Sequence, residues 1–126
     1  MMAAQQQQPL RGTLLHNEPM ARHTTWRVGG SAENYYLPAD VADLALFMSQ
    51  LPADEPLFWL GLGSNLLVRD GGIRGTVIAT SGMLNEMGRM DDQHVRVESG
   101  VSCAKVARFC AREGLAGAEF LCGIPG

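Results

Sequence analysis

The sequence predicts an α+β fold with two subdomains, the second of them incomplete. The predicted order of elements is a strand-turn-strand unit, a helix, four strands and a second helix. Apolar strands before residue 90 are typical of a buried sheet, whereas the last strand alternates apolar and polar residues, as half-exposed strands do. This change predicts a first subdomain at residues 21–90 and the start of a second at 91–126.

The composition indicates a folded chain with one modest core. The chain has 126 residues, of which 46% are hydrophobic and 18% are charged. Its net charge of -3 provides no basic field, so we expect neither nucleic acid nor membrane as a partner. The sequence has neither a membrane-length apolar run of about 20 residues nor a secretory signal, and we therefore expect a cytoplasmic protein.

The first 20 residues are predicted to be a mobile lead-in. They include a glutamine run at positions 5–8, followed by Pro9. Such polar, low-complexity sequence buries too little apolar surface to offset its ordering entropy.

The first subdomain begins with a predicted strand, turn and strand. Trp26 and Val28 start this unit, a glycine pair supplies the turn, and residues 35–37 form the second strand. Asp40 is then expected to cap a helix. Apolar residues on that helix recur at helical spacing, which predicts one buried face made of Val41, Leu44, Ala45 and Met48.

Three further apolar runs follow that helix. Residues 57–60 predict a strand buried on both faces, and residues 66–68 and 76–80 predict two more strands.

The second subdomain shows a different pattern. Val95 and Val97 alternate with polar residues, which predicts a half-exposed antiparallel strand. Ser102 is expected to cap a second helix that ends near Gly114. The apolar face of this helix is predicted to carry Val106, Phe109 and Cys110.

The clearest chemical signal is the glycine-rich segment at residues 61–65, Gly-Leu-Gly-Ser-Asn. Glycine permits positive φ and close backbone approach, and the backbone N–H groups, the Ser64 hydroxyl and the Asn65 amide can donate to a phosphate. A Rossmann fingerprint is disfavoured because the third glycine is missing and no helix follows. The segment predicts a phosphate cradle, with a plain glycine-rich turn as the alternative.

A second loop, Gly-Ile-Pro-Gly at residues 123–126, is stiffened by its proline. Its backbone could lie along a ligand, although a generic turn explains the loop equally well. A role in ligand binding is indicated only because the chain also carries the first loop. Arg22, Arg27 and Arg69 could reach a pyrophosphate, with structural or surface roles as the alternative.

No other side chains form a recognisable site. The three histidines have no spacing that would make a metal-binding face, so no metal is predicted. The three cysteines lack C-x-x-C spacing, and we expect them to be reduced. Ser64 lies outside a G-x-S-x-G elbow and is not predicted to be a hydrolase nucleophile.

Four motifs taken together resemble the UDP-N-acetylenolpyruvoylglucosamine reductases of bacterial peptidoglycan synthesis, the MurB family. In chain order they are HTTWRVGGSA at 23–32, Leu-Pro at 37–38, LGLGSNLLVRDGG at 60–72 and GAEFLCGIPG at 117–126. The resemblance covers residues 16–126.

This resemblance implies an FAD-binding domain of the vanillyl-alcohol-oxidase (PCMH) type, with the flavin's pyrophosphate between two subdomains. It places cofactor contacts in both loops, at Gly61, Leu62, Gly63, Ser64, Asn65 and Leu66 and at Gly123, Ile124, Pro125 and Gly126.

The family's reaction, by the same resemblance, uses NADPH to reduce FAD, which then passes hydride to the enolpyruvyl group of a UDP-sugar. The family's proton-donating serine and its glutamate and arginine come after the last motif, so no catalytic residue is named here. We expect residues 1–126 to be the inactive front portion of a longer enzyme. Two alternatives stay open: another FAD oxidoreductase of this domain type, and a non-catalytic nucleotide-binding module.

Overall fold

The computed structural model describes residues 9–126, and the glutamine run at positions 5–8 lies outside the described residues. Two helices and six strands confirm the predicted α+β fold. In chain order the elements are β1 (Thr13–Pro19), β2 (Ser31–Leu37), α1 (Val41–Gln50), β3 (Leu57–Leu60), β4 (Ile73–Ala79), β5 (Met87–Arg89), β6 (Val95–Val97) and α2 (Cys103–Arg112), with short 3-10 helices at Met20–Arg22 and Glu119–Gly123.

The main sheet has four strands in the order β1-β2-β4-β3. β1 is antiparallel to β2, whereas β2, β4 and β3 run parallel to one another. The crossover from β2 to β3 passes through α1, as parallel strands require. The carboxyl ends of these three parallel strands, at Leu37, Leu60 and Ala79, therefore meet at one edge of the sheet.

The core consists of two apolar clusters, one on each face of this sheet. Neighbouring residues of a strand point to opposite faces, so Tyr35 enters one cluster and Tyr36 the other. Tyr36 stacks on Phe47 of α1 with ring centroids 3.7 Å apart. The other cluster joins β2 and β4 to the 3-10 helix, and its buried residues are Met20, Ala32, Tyr35, Leu60, Val68, Val77 and Ala79.

The predicted mobile lead-in is wrong for Thr13–Pro19, which form β1. This strand pairs with β2 from Thr13 opposite Leu37 to Pro19 opposite Ser31. Its side chains are mostly exposed or half-buried, so its sequence lacks the apolar alternation that marks a strand. Pairing with β2 decides its conformation.

Two other predicted strands are also wrong. The Trp26–Val28 segment is a turn and loop in which Arg27 has a φ of +54°, outside the range of any strand. Residues 66–68 form no strand, although the Val68 side chain enters the core. The apolar run predicts a strand, but Leu67 is exposed and Val68 is buried from a loop, which can place an apolar side chain in the core as a strand does.

The strand predicted at residues 57–60 is confirmed as β3, but it is not buried on both faces. It lies at the edge of the sheet, where Phe58 and Trp59 are 45% and 58% exposed. The strand predicted at residues 76–80 is confirmed within β4.

Both predicted helices and both caps are confirmed. An Asp40 carboxylate oxygen accepts the Asp43 N–H at 2.8 Å, and Ser102 Oγ accepts the Lys105 N–H at 3.3 Å. The predicted face of α1 is wrong for three of its four residues, because Val41, Ala45 and Met48 are exposed and only Leu44 is partly buried. The helix instead packs through Phe47, which stacks on Tyr36, so its buried stripe is rotated from the predicted one.

A separate two-stranded antiparallel sheet, β5-β6, lies beyond the main sheet. It confirms the half-exposed antiparallel strand at Val95 and Val97. β5 had not been predicted, because Met-Gly-Arg carries no strand signal. The boundary near residue 90 stays a prediction.

Candidate functional site

The predicted cradle is a loop that follows β3. Gly63 has a φ of +74°, which favours glycine, and its carbonyl oxygen accepts the Thr25 N–H at 3.0 Å. A Cβ on Gly63 would overlap the carbonyl oxygen of His23. Gly61 differs, because the place of its Cβ has no atom within 4 Å. Glycine at position 63 is therefore required by the packing of the loop against the backbone of His23. Glycine at position 61 instead leaves the surface of the loop open.

The two predicted loops meet at one cavity of about 240 Å³. All six predicted residues of the first loop line it, together with Pro125 and Gly126 of the second, whereas Gly123 and Ile124 do not. The second loop is held at the start of α2, where the Cys103 N–H donates to the Gly126 carbonyl at 2.8 Å. Trp59, which the sequence analysis did not single out, completes the wall.

A larger cavity of about 960 Å³ lies at the edge where the parallel strands end. Leu37, Leu60 and Ala79 line it, and Gly61 and Leu62 border both cavities. Open sheets with parallel strands bind their ligands at this edge. The two cavities are therefore neighbours, with the cradle loop between them.

Of the three arginines predicted to reach a pyrophosphate, two line the larger cavity. These are Arg22 and Arg27, and Arg69 is not among its lining residues. The carbonyl of Arg69 instead accepts the N–H groups of Gly30 and Gly72, each at 2.9 Å. Its backbone therefore has a structural role.

Sequence reasoning also missed several polar residues that line the larger cavity, among them His23, Thr24, Thr25 and Tyr35. The first three belong to the first motif of the resemblance, but no chemistry could be read from their spacing. His23 Nε2 lies 3.0 Å from Glu18 Oε1, and His23 Nδ1 lies 3.2 Å from the Tyr35 hydroxyl. Burial raises the pKa of Tyr35, and the negative charge of Glu18 adds to this, so the phenol stays protonated.

Thr24 is a buried polar residue in the wall of this cavity, with 7% of its surface exposed. Within the described part of the chain, its Oγ1 has no hydrogen-bond partner. A buried hydroxyl without a partner is uncommon in folded proteins and destabilising. The position suits a cavity that receives a polar ligand.

The potential metal ligands of residues 9–126 are dispersed along the structure. No cluster of three or more His, Cys, Asp or Glu side chains there could hold a metal ion. No helix in that range has the length and apolar character needed to cross a membrane. All three cysteines are free in the structure.

Comparison with known families identifies the family to which this chain belongs. Residues 32–126 match the family described as FAD binding domain. The chain belongs to the FAD binding domain family. The matched region of this FAD binding domain contains the cradle loop, the second loop and the carboxyl ends of all three parallel strands.

Two relatives of this FAD binding domain, from different bacteria, carry the same name. A UDP-N-acetylenolpyruvoylglucosamine reductase from Nitrosococcus oceani is 66% identical over 117 residues, which cover 93% of this chain and 39% of the relative. One from Legionella pneumophila (strain Lens) is 64% identical over 116 residues, 92% of this chain and 38% of the relative. The chain thus spans well under half the length of these relatives.

A solved structure agrees with these sequence relatives. The crystal structure of the UDP-N-acetylenolpyruvylglucosamine reductase (MurB) from Thermus caldophilus matches with a TM-score of 0.61 and 29% identity, over 93% of this chain and 39% of that one.

The residues of the site fit FAD. The larger cavity is within the range of about 300–1,000 Å³ typical of organic ligands, and the smaller one adjoins it. The loop between them presents backbone N–H groups, the Ser64 hydroxyl and the Asn65 amide, the donors that a pyrophosphate needs. The orphaned Thr24 hydroxyl adds a buried polar group to the same wall.

Proposed function

We propose that this chain forms the FAD-binding part of an NADPH-using UDP-N-acetylenolpyruvoylglucosamine reductase. Such an enzyme reduces UDP-N-acetylglucosamine enolpyruvate to UDP-N-acetylmuramate in peptidoglycan synthesis. The observation that carries this proposal is the meeting of the cradle loop with Pro125 and Gly126 at one cavity. The 66% identity to the Nitrosococcus oceani reductase supports the choice of reaction.

The two loops are proposed to hold the pyrophosphate of FAD. Backbone N–H groups of the cradle loop, with Ser64 and Asn65, would donate to its oxygens without a mobile lysine. The full set of proposed contacts is Gly61, Leu62, Gly63, Ser64, Asn65, Leu66, Gly123, Ile124, Pro125 and Gly126. Gly123 and Ile124 do not line the smaller cavity and are included because the family resemblance implies cofactor contacts along the whole Gly-Ile-Pro-Gly loop.

Bound FAD supplies the hydride chemistry between NADPH and the enolpyruvyl double bond. This chain binds and orients: the cradle loop fixes the phosphates, and Arg22 and Arg27 add positive charge at the larger cavity. Leu37, Leu60 and Ala79 give that cavity an apolar edge. No residue of this chain is proposed as the proton donor.

Two measurements test the proposal. The purified chain should take up FAD, measured as quenching of flavin fluorescence on titration. A chimera in which this chain replaces the matching 117 residues of the Nitrosococcus oceani reductase should then oxidise NADPH only when the enolpyruvyl UDP-sugar is present. A chimera carrying Gly61→Val serves as the control that keeps its fold while a side chain occupies the cradle, because a Cβ on Gly61 meets no other atom within 4 Å.

The outcomes separate the alternatives. A chimera that binds FAD but ignores the enolpyruvyl substrate would favour another FAD oxidoreductase of this domain type. A chain that binds a nucleotide but no flavin would favour the non-catalytic module. The cytoplasmic location is proposed with the reaction and stays a prediction.

A further inference from the structure

His23 is held by side chains from two different strands. Its Nε2 lies 3.0 Å from Glu18 Oε1 on β1, and its Nδ1 lies 3.2 Å from the Tyr35 hydroxyl on β2. Its ring also stacks on that of Tyr35, with centroids 4.4 Å apart. A neutral His23 satisfies both bonds when Nε2–H donates to the carboxylate and Nδ1 accepts from the phenol. Three contacts thus fix one ring.

The surroundings make these contacts strong. Tyr35 is buried, and the Glu18 and His23 side chains are largely so. A hydrogen bond to a carboxylate is stronger than one between neutral groups, and poor solvent access strengthens it further. Because β1 and β2 are paired along their length, the backbone segments that carry the two anchors are held against each other.

The backbone at the same residue touches the cradle. The carbonyl oxygen of His23 fills the place where a Cβ on Gly63 would lie. Two residues further on, the Thr25 N–H donates to the Gly63 carbonyl at 3.0 Å. A shift of the His23 ring would therefore be passed through a short, packed stretch of backbone to the cradle loop.

We propose that His23, anchored by Glu18 and Tyr35, is a positioning residue that holds the Gly61–Gly63 loop in the conformation that binds the phosphates of the cofactor. This role rests on the proposed function, because it concerns the same loop. Three residues outside the predicted cradle take part: His23, Glu18 and Tyr35. His23 acts through its backbone contact with Gly63, while Glu18 and Tyr35 hold its side chain.

Tyr35→Phe is the first test, with Tyr36→Phe as its matched control. Each change removes one phenol hydrogen bond from adjacent residues of β2, but on opposite faces of the sheet. Tyr36 donates to Asp43 at 2.6 Å beside α1, away from both cavities. We expect Tyr35→Phe to raise the Kd for FAD about tenfold, the effect of one lost hydrogen bond to an ordered group, and Tyr36→Phe to change it less than about twofold.

Glu18 supplies a second test because it does not line either cavity that borders the loop. A change at Glu18 therefore removes no direct contact between Glu18 and the cofactor. It does remove the ion pair at 3.8 Å between Glu18 and Arg22 of the larger cavity, and Glu18→Gln, which removes the same ion pair, controls for that loss. Glu18→Ala, which deletes the acceptor, should weaken FAD binding as much as Tyr35→Phe does. Glu18→Gln keeps an acceptor oxygen and should restore the Kd to within about threefold of the original.

Amide hydrogen exchange reports on the loop without any cofactor. The Thr25 N–H should exchange faster in Tyr35→Phe and Glu18→Ala, because its bond to Gly63 opens more often, and should be unchanged in Tyr36→Phe and Glu18→Gln. A general loss of stability would instead speed exchange in α1 as well. Helix exchange therefore separates positioning from folding.

Each outcome decides one question. A chain that binds no FAD would contradict the proposed function. Unchanged Thr25 exchange in Tyr35→Phe would overturn the positioning role, whether or not FAD binds. An unchanged Kd in both Tyr35→Phe and Glu18→Ala, with tight binding by the original chain, would overturn it equally.

Discussion

The carbonyl oxygen of His23 occupies the position where a Cβ of residue 63 would lie, so Gly63 cannot carry a side chain without moving backbone. Gly63 also has a φ of +74°. The overlap with His23 and the positive φ are independent reasons for glycine at this position, and both lie within the protein itself. The glycines of this loop were expected to permit positive φ and a close approach of the backbone to a phosphate. Gly63 has the positive φ, and Gly61 is the glycine whose Cβ position is open.

Gly63→Ala should therefore destabilise the fold itself. The left-handed backbone alone costs about 1–2 kcal/mol for a residue with a Cβ, and the overlap with His23 adds to that. Urea denaturation should show the loss without FAD. A variant as stable as the original would contradict the packing described for this loop.

Gly61→Ala should behave in the opposite way. Its Cβ would meet no atom within 4 Å, so stability should stay within about 0.5 kcal/mol. The added methyl group would project beside both cavities, and FAD affinity should fall severalfold, as fluorescence titration would show. Gly88→Ala is the control, because its Cβ also meets nothing and Gly88 lies in β5. Equal FAD affinity in both variants would argue against a cofactor at Gly61.

Asp43 is expected to govern stability at acid pH. It is 2% exposed, and burial alone would raise the pKa of its carboxyl group, but hydrogen bonds outweigh this and lower the pKa below its usual value. The donors are the Tyr36 hydroxyl and the backbone N–H groups of Arg11, Gly12 and Ala39. In Asp43→Asn an amide N–H₂ would face some of these donors and could not accept their hydrogen bonds. The free energy of unfolding should therefore fall by about 3 kcal/mol at neutral pH.

The pH dependence of that loss follows from the direction of the pKa shift. Because the folded pKa of Asp43 lies below the unfolded value of about 3.9, its stabilisation is present above that value and is lost as pH falls through the folded pKa. The difference in unfolding free energy between the original chain and Asp43→Asn should shrink below about pH 4. A difference that stays constant from pH 7 to pH 3 would show that ionised Asp43 contributes nothing.

Ser102→Ala should remove the cap of α2. Loss of the bond from the Lys105 N–H is expected to cost about 1 kcal/mol in urea denaturation. Ser49→Ala is the control, because the Ser49 hydroxyl donates to the Leu46 carbonyl inside α1 and caps nothing. Equal effects of the two changes would mean that the Ser102 bond does not act as a cap.

FAD should be bound without a covalent link. Both ring nitrogens of His23 are already paired with Glu18 and Tyr35, and Cys122 is exposed and does not line the smaller cavity. Acid precipitation of the loaded protein should leave the flavin in the supernatant. A yellow pellet would contradict this, and Cys122→Ser would then identify or exclude that thiol as the attachment point.

Local features of this chain followed from its sequence. Asp40 and Ser102 cap helices, and Val95 and Val97 lie on a half-exposed strand, because a cap or an alternation depends on residues only a few positions apart. The glycine-rich loop was recognisable for the same reason. Its chemistry resides in consecutive backbone groups and in the adjacent Ser64 and Asn65 side chains.

Tertiary structure alone decided the features that join distant parts of the chain. β1 is a strand because β2 pairs with it, and Phe47 replaces Met48 on the buried face of α1 because Tyr36 offers a ring to stack on. The meeting of the two loops at one cavity, and the contact of His23 with Gly63, have no local signature. Such contacts depend on which buried surfaces fit together once the sheet has formed, and packing of this kind leaves no periodic trace in the sequence.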